Sequence, residues 1–521
     1  MDAPVTPKAV IRFLLDPGNY PEKPAGITHI ETHISHVFVG DTHVYKIKKP
    51  VSFGFLDFSS LEKRHHFCKK ELLLNRRLAR DIYLSVEPIF ATDKGYSFSP
   101  KTNSRPVEWA VKMKKIPMDC LLFLLITEGR PLYGELEEVG RMLALFHYQL
   151  PPYRGTKMGG IDNVIASTSE NFEHIRTFCG TEIQERTYTA IKEYTRSFVA
   201  EKAPLFGERR ANGFVRNGHG DLHCEHICLS RPPVIFDCIE FNDSFRIIDI
   251  LQDIAFLFMD MEYRGRFDLT SCLFSSYFGC WPEALNDDLL MFYKVYRAVV
   301  RGKVEALTAR NVAEEGAQQV ARVKGRNYFD LAEYYIKYAL TPFNPIVFMG
   351  LSGSGKSTIA RRFSPDVEIV RSDEVRKDSL GLSRDTHAYS PVGEGVYDPA
   401  LTQQIYCALL DKAVGHGKAG RKVIVDATYL KAKQRKHFYD SSMAKGLNPF
   451  FVHCFASEDT LRNRITQRMQ EGKDISDAHL AVLEHQLKHL EEPDELPSFR
   501  VLKINTEDAL NNIVSALKQL L

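Results

Sequence analysis

Nine consecutive residues carry the strongest chemical signal in the chain: Gly350, Leu351, Ser352, Gly353, Ser354, Gly355, Lys356, Ser357 and Thr358. An apolar run, residues 345–349, precedes them and a short amphipathic stretch, 359–363, follows, so the loop joins a buried strand to a helix. The glycines permit backbone angles that a side chain forbids. Successive N–H groups can then turn inward around a phosphate chain, and the helix N-terminus adds partial positive charge. In that arrangement Lys356 meets the β and γ phosphates and Ser357 a magnesium ion, so ATP and Mg2+ are the expected cofactors.

Further carboxylates and cations follow at useful positions. Residues 367–370 read as a strand ending in Arg371-Ser372-Asp373-Glu374-Val375-Arg376. A carboxylate there faces the phosphate loop across the sheet, which suits Asp373 to deprotonate an acceptor hydroxyl, with Arg376 as a cation on the substrate side. Residues 422–428 form an apolar strand carrying Asp426, placed to hold a magnesium-bound water near Ser357. A helix over 459–469 bears Arg462, Arg464 and Arg468. The last two are four apart and share a face, so their guanidinium forks can reach a triphosphate or the charge of a transferred group. Residues 470–477 read as a lid.

A second constellation lies upstream. His219, Gly220, Asp221, Leu222, His223, Cys224, Glu225 and His226 form a polar loop, and a strand over 233–236 then delivers Asp237. Asp221 suits a general base, and His226 with Asp237 suits a metal held beside phosphates. His219, His223 and His226 with Cys224 and Cys228 also read as a zinc site, although no second Cys/His pair completes the set.

The elements that must position these groups change character along the chain. Residues 28–40 and 42–48 read as a hairpin turning at Gly40-Asp41, and alternation puts Lys46 and Lys48 on one face of its second strand. A charged helix over 61–78 carries Glu71. Strands are expected over 82–90 and 107–113, the latter edge-like. Beyond residue 122 the pattern is helical, notably over 135–149, 183–199 and 288–307, and the chain closes on an amphipathic helix over 509–521. A sheet followed by helices suits a two-lobed α+β domain, whereas strand and helix alternate after residue 345.

Composition limits the alternatives. A chain of 521 residues exceeds one core, and a net charge of +2 does not favour nucleic acid as partner, although a local basic groove is compatible with it. Ten scattered cysteines, no basic-apolar leader and no apolar run of bilayer length point to a cytoplasmic protein with reduced thiols and no membrane partner.

His219-Gly220-Asp221-Leu222-His223, followed by Ile235-Phe236-Asp237, resembles the catalytic and metal-binding loops of the aminoglycoside phosphotransferase family, relatives of protein kinases in fold. The resemblance implies that Asp221 is the catalytic base and Asp237 a magnesium ligand, and that Lys46 holds the α and β phosphates and pairs with Glu71; Lys48 is the rival lysine. This chain has His226 where that family carries a metal-binding Asn. No G-x-G-x-x-G precedes Lys46, so His33, Ser35 and Gly40 would have to serve. Residues 345–521 resemble small P-loop kinases of the polynucleotide kinase, zeta toxin and chloramphenicol phosphotransferase type. The order of the two halves is similar to that of bacterial bifunctional aminoglycoside phosphotransferase/ATP-binding proteins.

The expected architecture is therefore two domains: a protein-kinase-like α+β domain over 1–340, with a small lobe at 25–115 and a helical lobe at 116–340, then an α/β P-loop domain with a parallel sheet over 341–521. The expected activity is ATP-dependent phosphoryl transfer to a hydroxyl of a small molecule. Two other readings are a polynucleotide 5′-hydroxyl kinase and a nucleotide-dependent switch. Sequence leaves oligomeric state open.

Overall fold

The computed structural model describes residues 7–93, 95–100, 104–280, 286–383, 399–471 and 479–521. They pack as two compact units. The first draws on the chain up to Leu124, Arg141–Ser167 and Val199–Leu257; the second on Leu125–Gly140, Thr168–Phe198 and the chain from Phe258. Residues 341–345, where a domain boundary is expected, lie inside the second unit, as do the long helices Asp287–Asn311 and Glu315–Tyr338.

The first unit holds a six-stranded sheet. Its spatial order is Thr28–Glu31, Ser35–Val39, His43–Lys48, Pro106–Lys114, Tyr83–Thr92 and Gly95–Ser97, with every neighbouring pair antiparallel. Two expectations are corrected here. The run 28–40 contains an extra reversal: the Thr32 hydroxyl accepts from the Ser35 N–H at 3.0 Å, and the Thr32 N–H donates to the Ser35 carbonyl at 2.9 Å. No glycine or proline marks that turn, so composition hides it. Residues 106–114, expected at an edge, are flanked on both sides, by the strand at 83–92 close in sequence and by the distant strand at 43–48.

Alternation along His43–Lys48 sorts its side chains. Tyr45 and Ile47 pack with Val10, Phe13 and Leu14 of the helix Pro7–Leu15, an element the sequence reading missed. Lys46 and Lys48 fall on the opposite face, where the helix Leu61–Asn75 lies; Ser60 caps it by accepting from the Lys63 N–H. That helix buries Arg64, Cys68, Glu71 and Asn75, a stripe at helical spacing that is largely polar. Each polar member has a partner: Arg64 pairs with Glu108, Glu71 with the two lysines, and Asn75 accepts from the Cys238 N–H. Later in this unit two short antiparallel ladders, Val215–Asn217 with Ile247–Asp249 and Ile227–Cys228 with Val234–Ile235, hold the ends of loops 218–226 and 236–246.

The second unit contains the expected parallel sheet. Its order is Glu368–Arg371, Val423–Asp426, Ile346–Met349, Phe450–Phe455 and Val501–Asn505. Val347, Val370, Val425 and Phe451 share a core with Leu409 and Phe438 from helices, which is why these strands read as continuous apolar runs. The first strand in sequence is central, so connections leave it in both directions and a crevice opens at its carboxyl end, where ligands bind in open α/β sheets. The phosphate loop lies there. Its helix starts at Lys356, running to Ala360 and tightening over Arg361–Phe363, three residues earlier than expected, because the Gly355 carbonyl already accepts from the Ile359 N–H at 3.1 Å. Among the described residues no helix is long and apolar enough to cross a membrane.

Gly350 has φ +133°, and a Cβ there would stand 2.1 Å from the Cys454 carbonyl oxygen. Gly350→Ala is therefore expected to destabilise the second unit by at least ~2 kcal/mol. Chemical unfolding monitored by circular dichroism measures this, and an unchanged midpoint would contradict the close approach.

Candidate active site

The phosphate loop borders a cavity of about 940 Å³, within the usual range for small-ligand sites. Ser352, Gly353, Gly355, Lys356, Ser357 and Thr358 line it, while Gly350 and Ser354 lie behind. Gly353 and Gly355 have φ +83° and +84°, which turns the loop back on itself. The buried Lys356 ammonium donates to the Gly350 and Leu351 carbonyls at 2.8 and 2.7 Å and to Ser354 Oγ at 3.2 Å. Burial pulls its pKa down from the usual lysine range, with the Asp426 carboxylate opposing that shift.

Ser357 Oγ donates to Asp426 Oδ2 at 2.5 Å, so the two oxygens expected at magnesium meet at one wall. Two hard oxygen donors beside a phosphate loop fit that ion. Arg371, quoted in the motif but given no role, stands against both: its Nε lies 3.4 Å from Asp426 Oδ2 and its Nη2 3.3 Å from Ser357 Oγ. Asp373 lines the same cavity from the first turn of the helix Ser372–Ser379, and Arg376 Nη1 holds its Oδ1 at 3.0 Å.

Arg464 and Arg468 both line the cavity. Arg464 donates to Thr506 Oγ1 at 2.8 Å, to the Thr506 carbonyl at 2.9 Å and, more weakly, to the Gly353 carbonyl at 3.4 Å, so it ties the phosphate loop to the end of the last strand. Gln486 is a further residue that sequence reasoning missed: its Oε1 accepts from the Ser352 N–H at 2.8 Å. Of the expected lid, residues 472–477 lie outside the described residues.

In the first unit the predicted residues also meet. Lys46 Nζ is 2.9 Å from Glu71 Oε1 and 2.8 Å from Asp237 Oδ1. Lys48 is fully buried between Glu71, at 2.8 Å, and Glu240. The rival lysines thus differ: Lys46 faces the loop carboxylate, whereas Lys48 is sealed beneath it. Burial works against the charges, yet Asp237 and then Glu71 hold the Lys46 pKa well above the ordinary range. Asp237 is likewise opposed by burial but held well below the usual carboxylate range by Lys46 and His226. Burial raises the Glu240 carboxyl against the pull of Lys48.

Asp221 Oδ2 lies 3.5 Å from His223 Nε2 and 3.6 Å from His226 Nδ1, and His226 Nε2 lies 3.6 Å from Asp237 Oδ2. Asp253, which sequence reasoning missed, fixes the loop from beneath. Its carboxylate accepts from the His219 and Gly220 N–H groups at 2.6 and 2.8 Å, and His147 Nε2 stands 3.3 Å away. Its only advance signal is a carboxylate at the start of an apolar helix, Ile250–Tyr263.

Two expectations fail on geometry. The five-member zinc set does not assemble. His219 Nε2 bonds to the Phe236 carbonyl at 3.0 Å and its Nδ1 faces the Asp221 N–H at 3.3 Å, while Cys228 Sγ points to the Pro117 carbonyl at 3.8 Å. Asp221, His223 and His226 do gather, with ligand atoms within 4.8 Å of one another. Nor do His33, Ser35 and Gly40 form one phosphate-covering loop. His33 sits in the turn before Ser35–Val39 and Gly40 follows that strand, whose five residues span about 16 Å.

A family model described as an AAA domain matches residues 346–493. Over 454 residues the chain is 29% identical to the uncharacterized proteins Mb2027c of Mycobacterium bovis and Rv2004c of Mycobacterium tuberculosis, covering 86% of this chain and 87% of theirs. Among solved structures it is similar to a gluconokinase from Sinorhizobium meliloti, at 23% identity and TM-score 0.25, covering 34% of this chain and 91% of that one. A choline/ethanolamine kinase family protein from Mesorhizobium loti matches at 12% identity and TM-score 0.40, covering 64% and 96%.

Two outcomes follow from the buried charges. Lys48→Met leaves Glu71 and Glu240 buried without their shared cation and is expected to destabilise the first unit by about 3–5 kcal/mol in thermal unfolding; a loss below 1 kcal/mol would contradict that burial. Burial lowers the His219 pKa to about 4 from the ordinary 6.5, so below pH 6.5 the unfolded chain binds the proton first. Its contribution to stability is complete above pH 6.5 and is lost as pH falls towards 4, by about 3 kcal/mol. Midpoints recorded across that range should decline less steeply for His219→Gln than for wild type, and parallel curves would contradict it.

Proposed function

We propose that residues 341–521 bind ATP with magnesium and transfer its γ-phosphoryl group to a hydroxyl of a small molecule, in a cytoplasmic protein. The observation that carries this reading is the shared cavity: Lys356, Ser357, Asp426 and Asp373 border one space of ligand size. The AAA-domain match over residues 346–493 supports nucleotide use there. Ser357 and Asp426 would hold the magnesium ion, which when bound offsets phosphate charge. Asp373 accepts the proton of the acceptor hydroxyl. The acceptor oxygen then bonds to the γ-phosphorus as the bond from that phosphorus to the β–γ bridging oxygen breaks and ADP leaves. Lys356, together with Arg468 on the cavity wall, faces the negative charge that spreads over the transferred group, while Arg464 holds the loop in register.

Residues 1–340 are proposed to hold a second nucleotide site of protein-kinase type, on the strength of Lys46 set between Glu71 and Asp237 with Asp221 close to His226. There Lys46 would grip the α and β phosphates, and Asp221 would act as base towards its own acceptor. Calorimetric titration of ATP into the full chain counts the sites. Wild type is expected to take up two nucleotides, and Lys356→Ala and Lys46→Met one each. A single site in wild type would contradict the second half of the proposal.

ATP consumption is to be followed with a panel of hydroxyl metabolites and a 5′-hydroxyl oligonucleotide. For the C-terminal acceptor, Asp373→Ala is expected to lower kcat by about 100-fold or more while ATP binding persists. Lys356→Ala should lose turnover of that acceptor and the nucleotide of the C-terminal site, keeping the other. Full turnover of that acceptor by Lys356→Ala would overturn the reading. Phosphorylation of the oligonucleotide alone would replace the small-molecule acceptor by a nucleic acid end, and slow hydrolysis indifferent to every acceptor would favour a nucleotide switch.

A further inference from the structure

We infer that the site between loops 218–226 and 236–246 is built for a first-row transition-metal dication, bound by His226 Nε2 and Asp237 Oδ2, rather than for magnesium. The inference rests on reading these loops as a metal and phosphate site, but the binding itself requires neither nucleotide nor turnover.

The tautomer of His226 comes first. Its Nδ1 stands 2.9 Å from the Asp221 carbonyl oxygen, which can only accept, so Nδ1 carries the ring proton. The lone pair is then on Nε2. A ring nitrogen pinned by a main-chain carbonyl, with the opposite nitrogen left to coordinate, is the usual arrangement of a metal-binding histidine. Nε2 points to Asp237 Oδ2 at 3.6 Å. Two donors each about 2.1 Å from one ion at a tetrahedral angle are about 3.4 Å apart, so the observed separation admits an ion between them.

Asp237 is held for the same purpose. Its φ of +61° lies in the left-handed region that a non-glycine residue rarely occupies, a strain retained where a side chain must be aimed. Lys46 takes Oδ1 at 2.8 Å, which turns Oδ2 towards His226. His223 has a different task. Its Nδ1 faces the Glu225 N–H at 3.4 Å, so in the neutral ring the proton is on Nε2, which looks to Asp221 Oδ2 at 3.5 Å. It orients the carboxylate and coordinates nothing.

Donor chemistry then selects the ion. Magnesium demands octahedral oxygen ligands and dehydrates reluctantly, whereas imidazole suits zinc, iron and nickel, and manganese, which shares magnesium's liking for oxygen, stands at the weak end of that series and gives the strictest paramagnetic probe. An amide oxygen at position 226 would serve magnesium; the imidazole nitrogen moves the preference along the transition series. The competing account of the same geometry is a metal-free ion pair between protonated His226 and Asp237.

The test uses the full chain with Mn2+ alone, read by pulsed electron paramagnetic resonance. Wild type is expected to show nitrogen-14 modulation from one directly bound imidazole and to retain Mn2+ against at least a tenfold excess of Mg2+. His226→Asn should lose the nitrogen signal and shift the Mn2+/Mg2+ preference by tenfold or more towards Mg2+, and Asp237→Asn should weaken Mn2+ binding. His223→Asn should keep the signal. Circular dichroism of each variant separates lost binding from lost fold, and Zn2+ competition against bound Mn2+ provides a second readout on wild type. Absence of the nitrogen signal in wild type would overturn the inference in favour of the ion pair. Its loss in His223→Asn would overturn the ligand assignment in favour of the Asp221, His223 and His226 trio. With no ATP or acceptor present, these results stand or fall apart from the phosphoryl-transfer reading.

Discussion

A lysine ammonium wrapped by its own loop is the arrangement on which the second unit's candidate site depends. Lys356 reaches back six residues to the Gly350 carbonyl and five to that of Leu351, a path open only because Gly350, Gly353 and Gly355 all take positive φ. That backbone lets the loop lie against the strands beside it. The Gly350 N–H donates to the Thr428 carbonyl at 3.0 Å, and Arg464 secures Gly353 from the opposite side. The parallel sheet supplies the rest by register: Phe348 pairs with Asp426, and Asp426 with Arg371, so one row across three strands delivers a carboxylate and a guanidinium to the end of the loop. Asp373 follows two residues later on a helix that begins where its strand stops.

The first unit solves a different problem, that of keeping several charges close together inside a small sheet. Two lysines from one strand face and three carboxylates, Glu71, Asp237 and Glu240, form one connected set. Removing such groups from water is costly, and mutual pairing recovers that cost only when each is matched. Lys48 and Glu240 occupy the sealed end, with side-chain exposures of 1% and 5%; Asp237, at 40%, occupies the open end. Lys46 connects the two. The buried pairs thus fix the position of the one lysine and the one carboxylate that a ligand can reach, and Asp253 does the same for the backbone of the neighbouring loop.

What the sequence revealed follows the range of the interactions involved. The phosphate loop was legible because its glycines, lysine and serine are contiguous, and Ile346–Met349 was found within the expected run 345–349 because a strand covered on both faces is uniformly apolar. Alternation placed Lys46 and Lys48 on one face correctly, but it could not tell which would be sealed, since Glu240 lies 192 positions away. The turn at Thr32 escaped because a hydroxyl, not a glycine, makes it. Pro7–Leu15 was missed although Val10, Phe13 and Leu14 carry the helical spacing, and the central place of Pro106–Lys114 depends on pairing that local pattern does not encode. Arg371 and Gln486 act through partners 55 and 134 positions distant. The histidine cluster was visible as composition; only the structure separates His226 from His219.

The most direct measurement of the central claim is a crystal structure of the full chain grown with a non-hydrolysable ATP analogue and magnesium. The account predicts the β phosphate within hydrogen-bonding distance of the main-chain N–H groups of residues 353–357, with Lys356 Nζ drawn from the Gly350 and Leu351 carbonyls to the phosphate oxygens. A loop whose lysine stays on those carbonyls while the nucleotide occupies another part of the second unit would contradict it.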